Sequence, residues 1–222
     1  MIITLDGPAG SGKSTTAKEV ARRLGYRHLD SGALYRALTH ALLEAGLSAA
    51  EWSGLEPDEL SDLGVRTKAV ADAVHLYLGD RLLGDELRTA EVTAAVPAIA
   101  KLEAVRTWLL GIQRDLGRQG SLVADGRDMG SVVFPNADLK VFLVASLEER
   151  ARRRLLQDTG VDPSQTDVAG EAARIGSRDA IDSERELSPL QRPEGALDID
   201  TTELEFEAQV DAILRRVTNL TG

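Results

Sequence analysis

The 222-residue sequence contains no cysteine, which excludes disulfide bonds and thiolate metal sites. Its three histidines (His28, His40 and His75) are scattered, and their spacing matches no zinc-binding pattern. Aromatic residues make up 4% of the chain, so we expect a core of leucine, valine, isoleucine and alanine. The length is sufficient for one hydrophobic core with room for a small appended lobe.

Long apolar runs are also missing. No stretch of the sequence approaches the roughly 18 apolar residues that a membrane-spanning helix needs. Residues 1–7 lack the basic region and apolar stretch of a secretion signal, so we expect a cytoplasmic protein without membrane contact. The net charge of −10 disfavours a nucleic-acid partner, which would select a basic face. A small phosphate ligand is compatible with this negative net charge, because a few arginines can hold it.

Apolar and amphipathic segments alternate along most of the chain, which predicts an α/β fold with a parallel sheet and helices on both faces. The predicted strands are 2–5, 26–29, 74–78, 81–83, 121–124, 139–144 and 197–200. The predicted helices are 13–24, 32–45, 88–118 with a break near Pro97, 147–158, 168–186 and 203–217. Residues 159–167 read as a polar loop, and the segment from about 47 to 100 departs from the alternation, which favours an inserted lobe.

A phosphate-binding motif follows the first predicted strand. The residues GPAGSGKS match G-x-x-x-x-G-K-[ST] and lie between an apolar strand and an amphipathic helix, as the motif requires. Glycines allow backbone amides to surround phosphate oxygens, and the helix N-terminus adds its positive dipole end. A lysine charge reaches the β and γ phosphates, and a serine hydroxyl can bind Mg²⁺. The predicted ATP-binding residues are Gly7, Pro8, Ala9, Gly10, Ser11, Gly12, Lys13, Ser14 and Thr15.

This P-loop predicts nucleotide binding without naming a reaction. A GTPase would read guanine with N-K-x-D, and neither Asn136 nor Asn219 begins that motif. A motor or helicase ATPase usually has an apolar strand that ends in acidic residues. The corresponding strand here, LKVFLVAS, ends in Ala145 and Ser146. Both classes are therefore disfavoured.

Polar side chains follow the other predicted strands. One strand runs into LDSGALYR, where Ser31 could serve as a helix N-cap, and another runs into DGRDMG. The carboxyl ends of parallel strands meet at one edge of the sheet, where ligands bind in open α/β folds. The side chains expected at that edge are Ser31, Tyr35, Arg36, Asp125, Arg127 and Asp128.

Two later clusters of arginine are open to two interpretations. Arg178, Asp182 and Arg185 are spaced i, i+4, i+7, so they either face a ligand or form an ion-pair ladder on a solvated helix face. Arginines at 150 and 152–154 form either a solvated basic stretch or a contact with the transferred phosphate, for which Arg154 is the candidate.

Taken in order, five segments resemble the bacterial cytidylate kinases. The similarity runs almost from end to end; it is strongest over 1–40, 79–92 and 120–150 and weak over 47–75. The segments are GPAGSGKST, LDSGALYR, GDELRTAEV, VADGRDMGSVVFPNADLKVFLVAS and SRDAIDSER.

The resemblance implies a P-loop NTPase fold and a single nucleoside monophosphate kinase domain. Its core would comprise 1–46, 101–154 and 187–222, with an acceptor-binding insertion at about 47–100 and a short lid at about 155–170. The implied reaction transfers the γ-phosphoryl group of ATP to CMP or dCMP with Mg²⁺, giving ADP and CDP or dCDP, in pyrimidine nucleotide metabolism. No exposed apolar stripe is evident in the sequence, so we expect a monomer.

The resemblance also assigns roles by position. Arg36, Arg127 and Arg185 resemble the arginines that hold the acceptor phosphate, and Arg106 with Asp128 resembles the pair that reads cytosine. Further roles follow for the sugar (Arg178, Asp182), the acceptor site (Ser31, Tyr35), the metal (Ser14, Asp125) and catalysis (Lys13, Arg127, Arg154, Arg185).

Two departures from the family pattern concern binding. Pro97 stands where the family often has a serine that contacts the base, and a proline ring cannot donate that hydrogen bond. The usual Arg/Asp-rich run is interrupted by Ala180, Ile181, Ser183 and Glu184, which bears on how the sugar is held.

Other functions remain open from the residues alone. A kinase acting on shikimate, AMP or UMP would share the P-loop and the basic edge. A non-catalytic nucleotide sensor, or an ATPase that drives a partner protein, would share the P-loop.

Overall fold

A computed structural model describes residues 1–221, and over these residues the chain forms an eight-stranded sheet between layers of helices. The strands are β1 Ile2–Asp6, β2 Arg27–Asp30, β3 Val65–Val70, β4 Ala73–Leu78, β5 Arg81–Leu82, β6 Leu122–Gly126, β7 Leu139–Val144 and β8 Leu197–Asp200. The helices are α1 Lys13–Leu24, α2 Ser31–Glu44, α3 Ala49–Trp52, α4 Pro57–Asp62, α5 Ala90–Ile99, α6 Glu103–Arg118, α7 Leu147–Thr159, α8 Gln165–Ser183 and α9 Phe206–Thr221. A 3₁₀ turn spans Asp85–Arg88, and a π-helical turn spans Met129–Val133.

The parallel part of the sheet has the order β4-β2-β6-β1-β7-β8. All five residues of β6 are buried, as are four of the five in β1, because helices cover both faces of these central strands. Strands in that position are short and mostly apolar, which is how the sequence at 2–5 and 139–144 reads apart from Thr4 and Lys140. The predicted parallel sheet is confirmed.

Helices α1 and α9 cover one face of the sheet, where Val20 and Val210 join a core with Val141 of β7. Helices α2 and α6 cover the other face, where Leu38 and Leu109 belong to a second core. The three-layer α/β arrangement predicted from the sequence is thus confirmed. Among residues 1–221, no helix combines the length and the apolar character needed to cross a membrane.

The region of the predicted insertion extends the main sheet instead of forming a separate core. Strand β4 pairs in parallel with β2 through His28 and Ala73, and β3 and β5 flank β4 in antiparallel pairs. Leu76 and Ile99 belong to the same core as Leu38 of α2. The predicted hairpin is confirmed as β4–β5. Strand β3 is missing from the sequence prediction, because its residues are mostly exposed and give no apolar signal.

The predicted helix break near Pro97 is confirmed, because α5 ends at Ile99 and α6 begins at Glu103. Pro97 lies inside α5, and the chain leaves the helix three residues later, where Ala100 still donates its amide to Val96 O at 2.9 Å. Proline has no amide to donate to the carbonyl oxygen of Thr93, and its ring crowds that carbonyl, so a helix tends to end soon after it.

The polar loop predicted at 159–167 is shorter in the structure. Helix α7 continues to Thr159 and α8 begins at Gln165, so residues 160–164 connect them. Ser164 caps α8 by accepting a hydrogen bond from the amide of Asp167 at 3.2 Å, a signal present in the sequence as S-x-x-D. Most of the lid range predicted at 155–170 is therefore helical.

Candidate active site

The P-loop joins β1 to α1 in the middle of the sheet. A Cβ atom on Gly7 would lie 2.1 Å from the carbonyl oxygen of Leu143, so a larger residue does not fit there. Gly12 has φ 85°, which favours glycine, and as the N-cap of α1 it offers no side-chain bond to the first turn of the helix. The N-terminus of α1 is therefore available to an anion.

Lys13 is buried beside this loop, where its Nζ donates to the carbonyl oxygen of Pro8 at 3.0 Å. Burial, together with the charges of Arg127 and Arg178, lowers the pKa of Lys13 to about 7, although the charge of Asp125 opposes this shift. A lysine in this environment is poised to gain its full charge when an anion binds.

Ser14 and Asp125 meet at the foot of the P-loop, where the serine hydroxyl donates to Asp125 Oδ2. His28 Nε2 lies 2.7 Å from the other carboxylate oxygen. Hydroxyl and carboxylate oxygens suit Mg²⁺, which usually takes few protein ligands and completes its shell with water and phosphate. Accordingly, the described residues hold no cluster of three or more His, Cys, Asp or Glu that would form a metal cage. The two residues predicted at the metal fit that ion.

A cleft of about 920 Å³ runs from the P-loop along the carboxyl ends of β2 and β6. Lys13, Ser14 and Asp125 line one end of it, together with Ala9, Gly10, Gly12 and Thr15. All predicted acceptor-side residues also line it: Ser31, Tyr35, Arg36, Arg106, Arg127, Asp128, Arg178, Asp182 and Arg185. The fold thus brings predicted residues from distant parts of the sequence into one space.

Arg106 and Asp128 form a buried ion pair in this cleft. Arg106 also donates to the carbonyl oxygen of Ala100 at 3.0 Å, and its guanidinium carbon lies 5.8 Å from the centre of the Tyr35 ring. Burial raises the pKa of Asp128, and the charge of Arg106 opposes that rise. The pair offers a carboxylate acceptor and a guanidinium donor side by side, with an aromatic face nearby.

Asp182 connects two of the predicted phosphate arginines. It accepts a hydrogen bond from Arg127 Nε at 2.9 Å and lies 3.6 Å from Arg185. Arg185 Nε is buried and has no hydrogen-bond partner among the described residues. Arg185 lies beyond the end of α8, so the prediction that it shares one helix face with Arg178 and Asp182 is wrong. The interpretation as a solvated ladder is also wrong, because the side chains of Asp182 and Arg185 are mostly shielded from solvent and Asp182 pairs with Arg127 of another element as well.

Arg36 is held from the inserted region, where Thr93 Oγ1 accepts from its guanidinium at 2.9 Å. Burial lowers the pKa of Arg36, and the charge of Arg88 contributes. Burial likewise lowers the pKa of Arg178 to about 10, with a further contribution from Arg127. Cations that lower one another's pKa inside a cleft mark a site whose natural occupant is an anion.

Two predicted residues have contacts that differ from expectation. Asp30, not Ser31, is the N-cap of α2, because its Oδ1 accepts from the amide of Ala33 at 3.0 Å. Ser31 is buried and accepts from Gln113 Nε2 at 2.9 Å. Arg154 lines the cleft but is 40% exposed and pairs with Asp158 at 3.0 Å, the arrangement of a solvated basic stretch.

Other cleft and supporting residues are missing from the sequence prediction. Arg88 lines the cleft and lies within the segment GDELRTAEV, so the motif carried a signal for it. Asp6 is fully buried and accepts from the amides of Met129 and Gly130 at 2.8 and 2.7 Å, which fixes the turn after Asp128. Nothing in the local sequence marks that contact.

A solved structure supports the fold. The crystal structure of an uncharacterised protein from Eubacterium ventriosum superposes with a TM-score of 0.52 at 13% sequence identity, over 99% of this chain and 98% of that chain. At that identity the likeness concerns the fold alone.

Curated sequences extend the comparison. A cytidylate kinase from Exiguobacterium sibiricum is 43% identical over 98% of this chain and 95% of its own length. A cytidylate kinase from Salinibacter ruber is 43% identical over 98% of this chain and 96% of its own length. One from Clostridioides difficile is 39% identical over 98% of this chain and 98% of its own length. The sequence profile described as cytidylate kinase matches residues 3–219. This chain therefore belongs to the cytidylate kinase family.

Proposed function

We propose that this protein transfers the γ-phosphoryl group of ATP to CMP or dCMP, giving ADP and CDP or dCDP. One observation carries the proposal: a single cleft has a P-loop at one end and, at the other, partly buried arginines beside a buried Arg106–Asp128 pair. The first end suits a triphosphate, and the second suits a smaller nucleotide with an amine-bearing base. The relatives named cytidylate kinase support the same reaction.

The donor would lie with its β and γ phosphates at the N-terminus of α1, where Lys13 neutralises negative charge. Ser14 and Asp125 would hold Mg²⁺, which would supply neutralisation of phosphate charge when bound. The burial of Lys13 strengthens its interaction with phosphate, because the low-dielectric environment screens charge less than water does.

The acceptor phosphate would be held by Arg36, Arg127 and Arg185. One of its oxygens, already anionic, forms the new bond to the γ-phosphorus, while the bond from that phosphorus to the β–γ bridging oxygen breaks and ADP leaves. No strong general base is required, so catalysis rests on alignment and on charge stabilisation by Lys13 and the arginines. The unpartnered Nε of Arg185 is a donor that an acceptor phosphate could use.

The base would lie against Arg106 and Asp128. A carboxylate accepts from the exocyclic N4 amine of cytosine, and a guanidinium donates to ring acceptors. Pro97 also lines this part of the cleft and offers no side-chain donor, so the Arg106–Asp128 pair carries more of the recognition. Arg178 and Asp182 would contact the sugar, and Ser31 and Tyr35 would complete the acceptor site.

Segment 155–170 is proposed as the lid. It contains the end of α7, the connection at 160–164 and the start of α8, and Arg154 stands at its border. Closure over the cleft would exclude water and so limit hydrolysis of ATP. Arg154 would then turn from Asp158 toward the transferred phosphate.

A panel of acceptors tests the function. Purified protein with ATP and Mg²⁺ is expected to release ADP with CMP and dCMP, and far less with UMP, AMP or shikimate, in a coupled ADP assay. ADP formation that ignores the acceptor would indicate an ATPase. Absence of ADP with every acceptor would indicate a nucleotide sensor, and either result would refute the proposal.

Replacement of Asp128 by alanine is expected to reduce the preference for CMP over UMP by about tenfold or more, because a hydrogen bond to a charged acceptor is lost. The ratio of kcat/KM values for the two acceptors measures this effect, and a thermal melt checks folding. Asp115→Ala, an exposed carboxylate on α6, is the control. A ratio equal to that of the unmodified enzyme would exclude Asp128 as the base reader.

The cytoplasmic location and the monomeric state remain predictions from the sequence. Size-exclusion chromatography with light scattering would measure the mass, for which a single chain of 23.8 kDa is expected.

A further inference from the structure

The carboxylate of Asp179 joins α8 to the P-loop. Its Oδ1 accepts from the backbone amide of Ala9 at 3.0 Å, and its Oδ2 accepts from the guanidinium of Arg150. Ala9 lies within the phosphate-binding motif, whereas Asp179 belongs to the helix that carries the proposed sugar-binding residues. The two residues are 170 positions apart in the sequence.

Arg150 completes the connection from α7. It is buried, and its Nη1 also donates to the carbonyl oxygen of Ala9 at 3.0 Å, while its Nε donates to the carbonyl oxygen of Ala145 at 3.1 Å. The amide and the carbonyl of Ala9 are thus both bound by a pair of oppositely charged side chains. Hydrogen bonds to charged groups are stronger than those between neutral groups, so this part of the loop is firmly tied to α7 and α8.

Apolar packing supports the same contact. Ala9, Ala151, Val168 and Ile175 form a small core of their own, separate from the two that flank the sheet. Its members come from the P-loop, α7 and α8. Helix α8 therefore rests on the loop through both polar and apolar contacts.

The neighbours of Asp179 on α8 face the acceptor cleft. Arg178 and Asp182 line that cleft, and Asp182 bonds to Arg127 from the end of β6. Any displacement of α8 relative to the P-loop would move these side chains away from the acceptor. Asp179 is a polar link between this helix and the loop.

We propose that Asp179 is a positioning residue that couples the donor site to the acceptor site. Its bond to Ala9 holds α8 against the P-loop, so the loop conformation that binds ATP also sets Arg178 and Asp182 for the acceptor. The proposal rests on the proposed function, because it takes the two ends of the cleft as donor and acceptor sites. Coupling of this kind is reciprocal, so each nucleotide should tighten the binding of the other.

Calorimetry with the full chain tests the coupling. The Kd of CMP is measured with and without a non-hydrolysable ATP analogue and Mg²⁺, for the unmodified enzyme and for Asp179→Ala, Asp179→Asn and Glu171→Ala. In the unmodified enzyme the analogue should tighten CMP binding by about fivefold or more. In Asp179→Ala that factor should fall to about one, with a raised KM for CMP and little change in the affinity for the analogue alone.

The other variants separate positioning from a general structural effect. Asparagine keeps the size of Asp179 and an oxygen for the Ala9 amide but loses the charge pair with Arg150, so its coupling factor should be intermediate. Glu171→Ala removes a carboxylate of the same helix, one that pairs with Arg174 at 3.5 Å, and should leave the factor unchanged. Thermal melts establish that each variant folds.

Three outcomes would overturn the proposal: a coupling factor of one in the unmodified enzyme, an unchanged factor in folded Asp179→Ala, or an equal loss in Glu171→Ala. If Asp179→Ala does not fold, the coupling factor of Asp179→Asn serves as the test. A factor equal to that of the unmodified enzyme would then overturn the proposal. These binding measurements need no turnover. Failure of the proposed function would instead appear as an unmodified enzyme that makes no CDP.

Discussion

Replacing Arg127 with alanine is expected to lower kcat/KM for CMP by about 1,000-fold or more and to leave the Kd of an ATP analogue within about twofold. Arg127 follows the last residue of β6 and lines the cleft. Its Nε donates a hydrogen bond to Asp182, and its charge lowers the pKa of Lys13. Its loss removes a charge that stabilises the transferred phosphoryl group and the acceptor phosphate. It leaves the P-loop amides and the N-terminus of α1 intact.

Steady-state kinetics and calorimetry measure the two quantities for Arg127→Ala. Arg118→Ala is the matched control, because Arg118 is exposed and pairs with Asp115 within α6. We expect control kinetics equal to those of the unmodified enzyme. Unchanged CMP kinetics in Arg127→Ala would refute its assignment to the acceptor phosphate.

Replacing Lys13 with methionine is expected to weaken binding of an ATP analogue by about 100-fold or more and to reduce turnover to near background. Lys13 is buried against the loop, so no solvent ion can easily replace its charge. Methionine fills a similar volume, which protects the fold. Calorimetry measures the affinity, and Lys18→Met, at an exposed position of α1, is the control.

Lys13 should also give the binding a pH dependence. Because burial lowers its pKa to about 7, the group is largely neutral at pH 8 before the nucleotide binds. A bound triphosphate raises that pKa, so binding takes up close to one proton per nucleotide at pH 8 and weakens as the pH rises above 7. Calorimetry in buffers of different ionisation enthalpy measures the uptake. Uptake that persists in Lys13→Met would assign the proton to another group.

The periodic segments of the fold could be predicted closely. Helix α1 has the predicted bounds, and the strands at 139–144 and 197–200 match, because a strong apolar period or a buried apolar run is a local property of the sequence. The errors of the sequence prediction at β3 and at the start of α8 have local causes as well. Strand β3 is mostly exposed, and the true start of α8 is marked by a polar cap at Ser164 instead of an apolar pattern.

The candidate site could be predicted in part. The P-loop could be predicted from the sequence, because one continuous segment with fixed spacing contributes its amides, its lysine and its hydroxyl. The strand ends placed Arg36 and Arg127 at one edge of the sheet, but their roles toward the acceptor depended on a resemblance, since no spacing rule relates the two residues. The contacts of Asp6 and Asp179 with backbone amides had no sequence signal, because a backbone amide is the same at every position but proline.

By itself the sequence determined the α/β class, the phosphate cradle and the polar character of the strand ends, because each of these depends on neighbours along the chain. Only the tertiary structure decided which polar groups meet: Arg106 with Asp128, Arg127 with Asp182, and Asp179 with the backbone amide of Ala9, at separations of 22, 55 and 170 residues. Those encounters follow from the strand order β2-β6-β1-β7 and from how α8 packs on the P-loop. Packing of distant apolar surfaces sets that geometry, and no local pattern of residues records it.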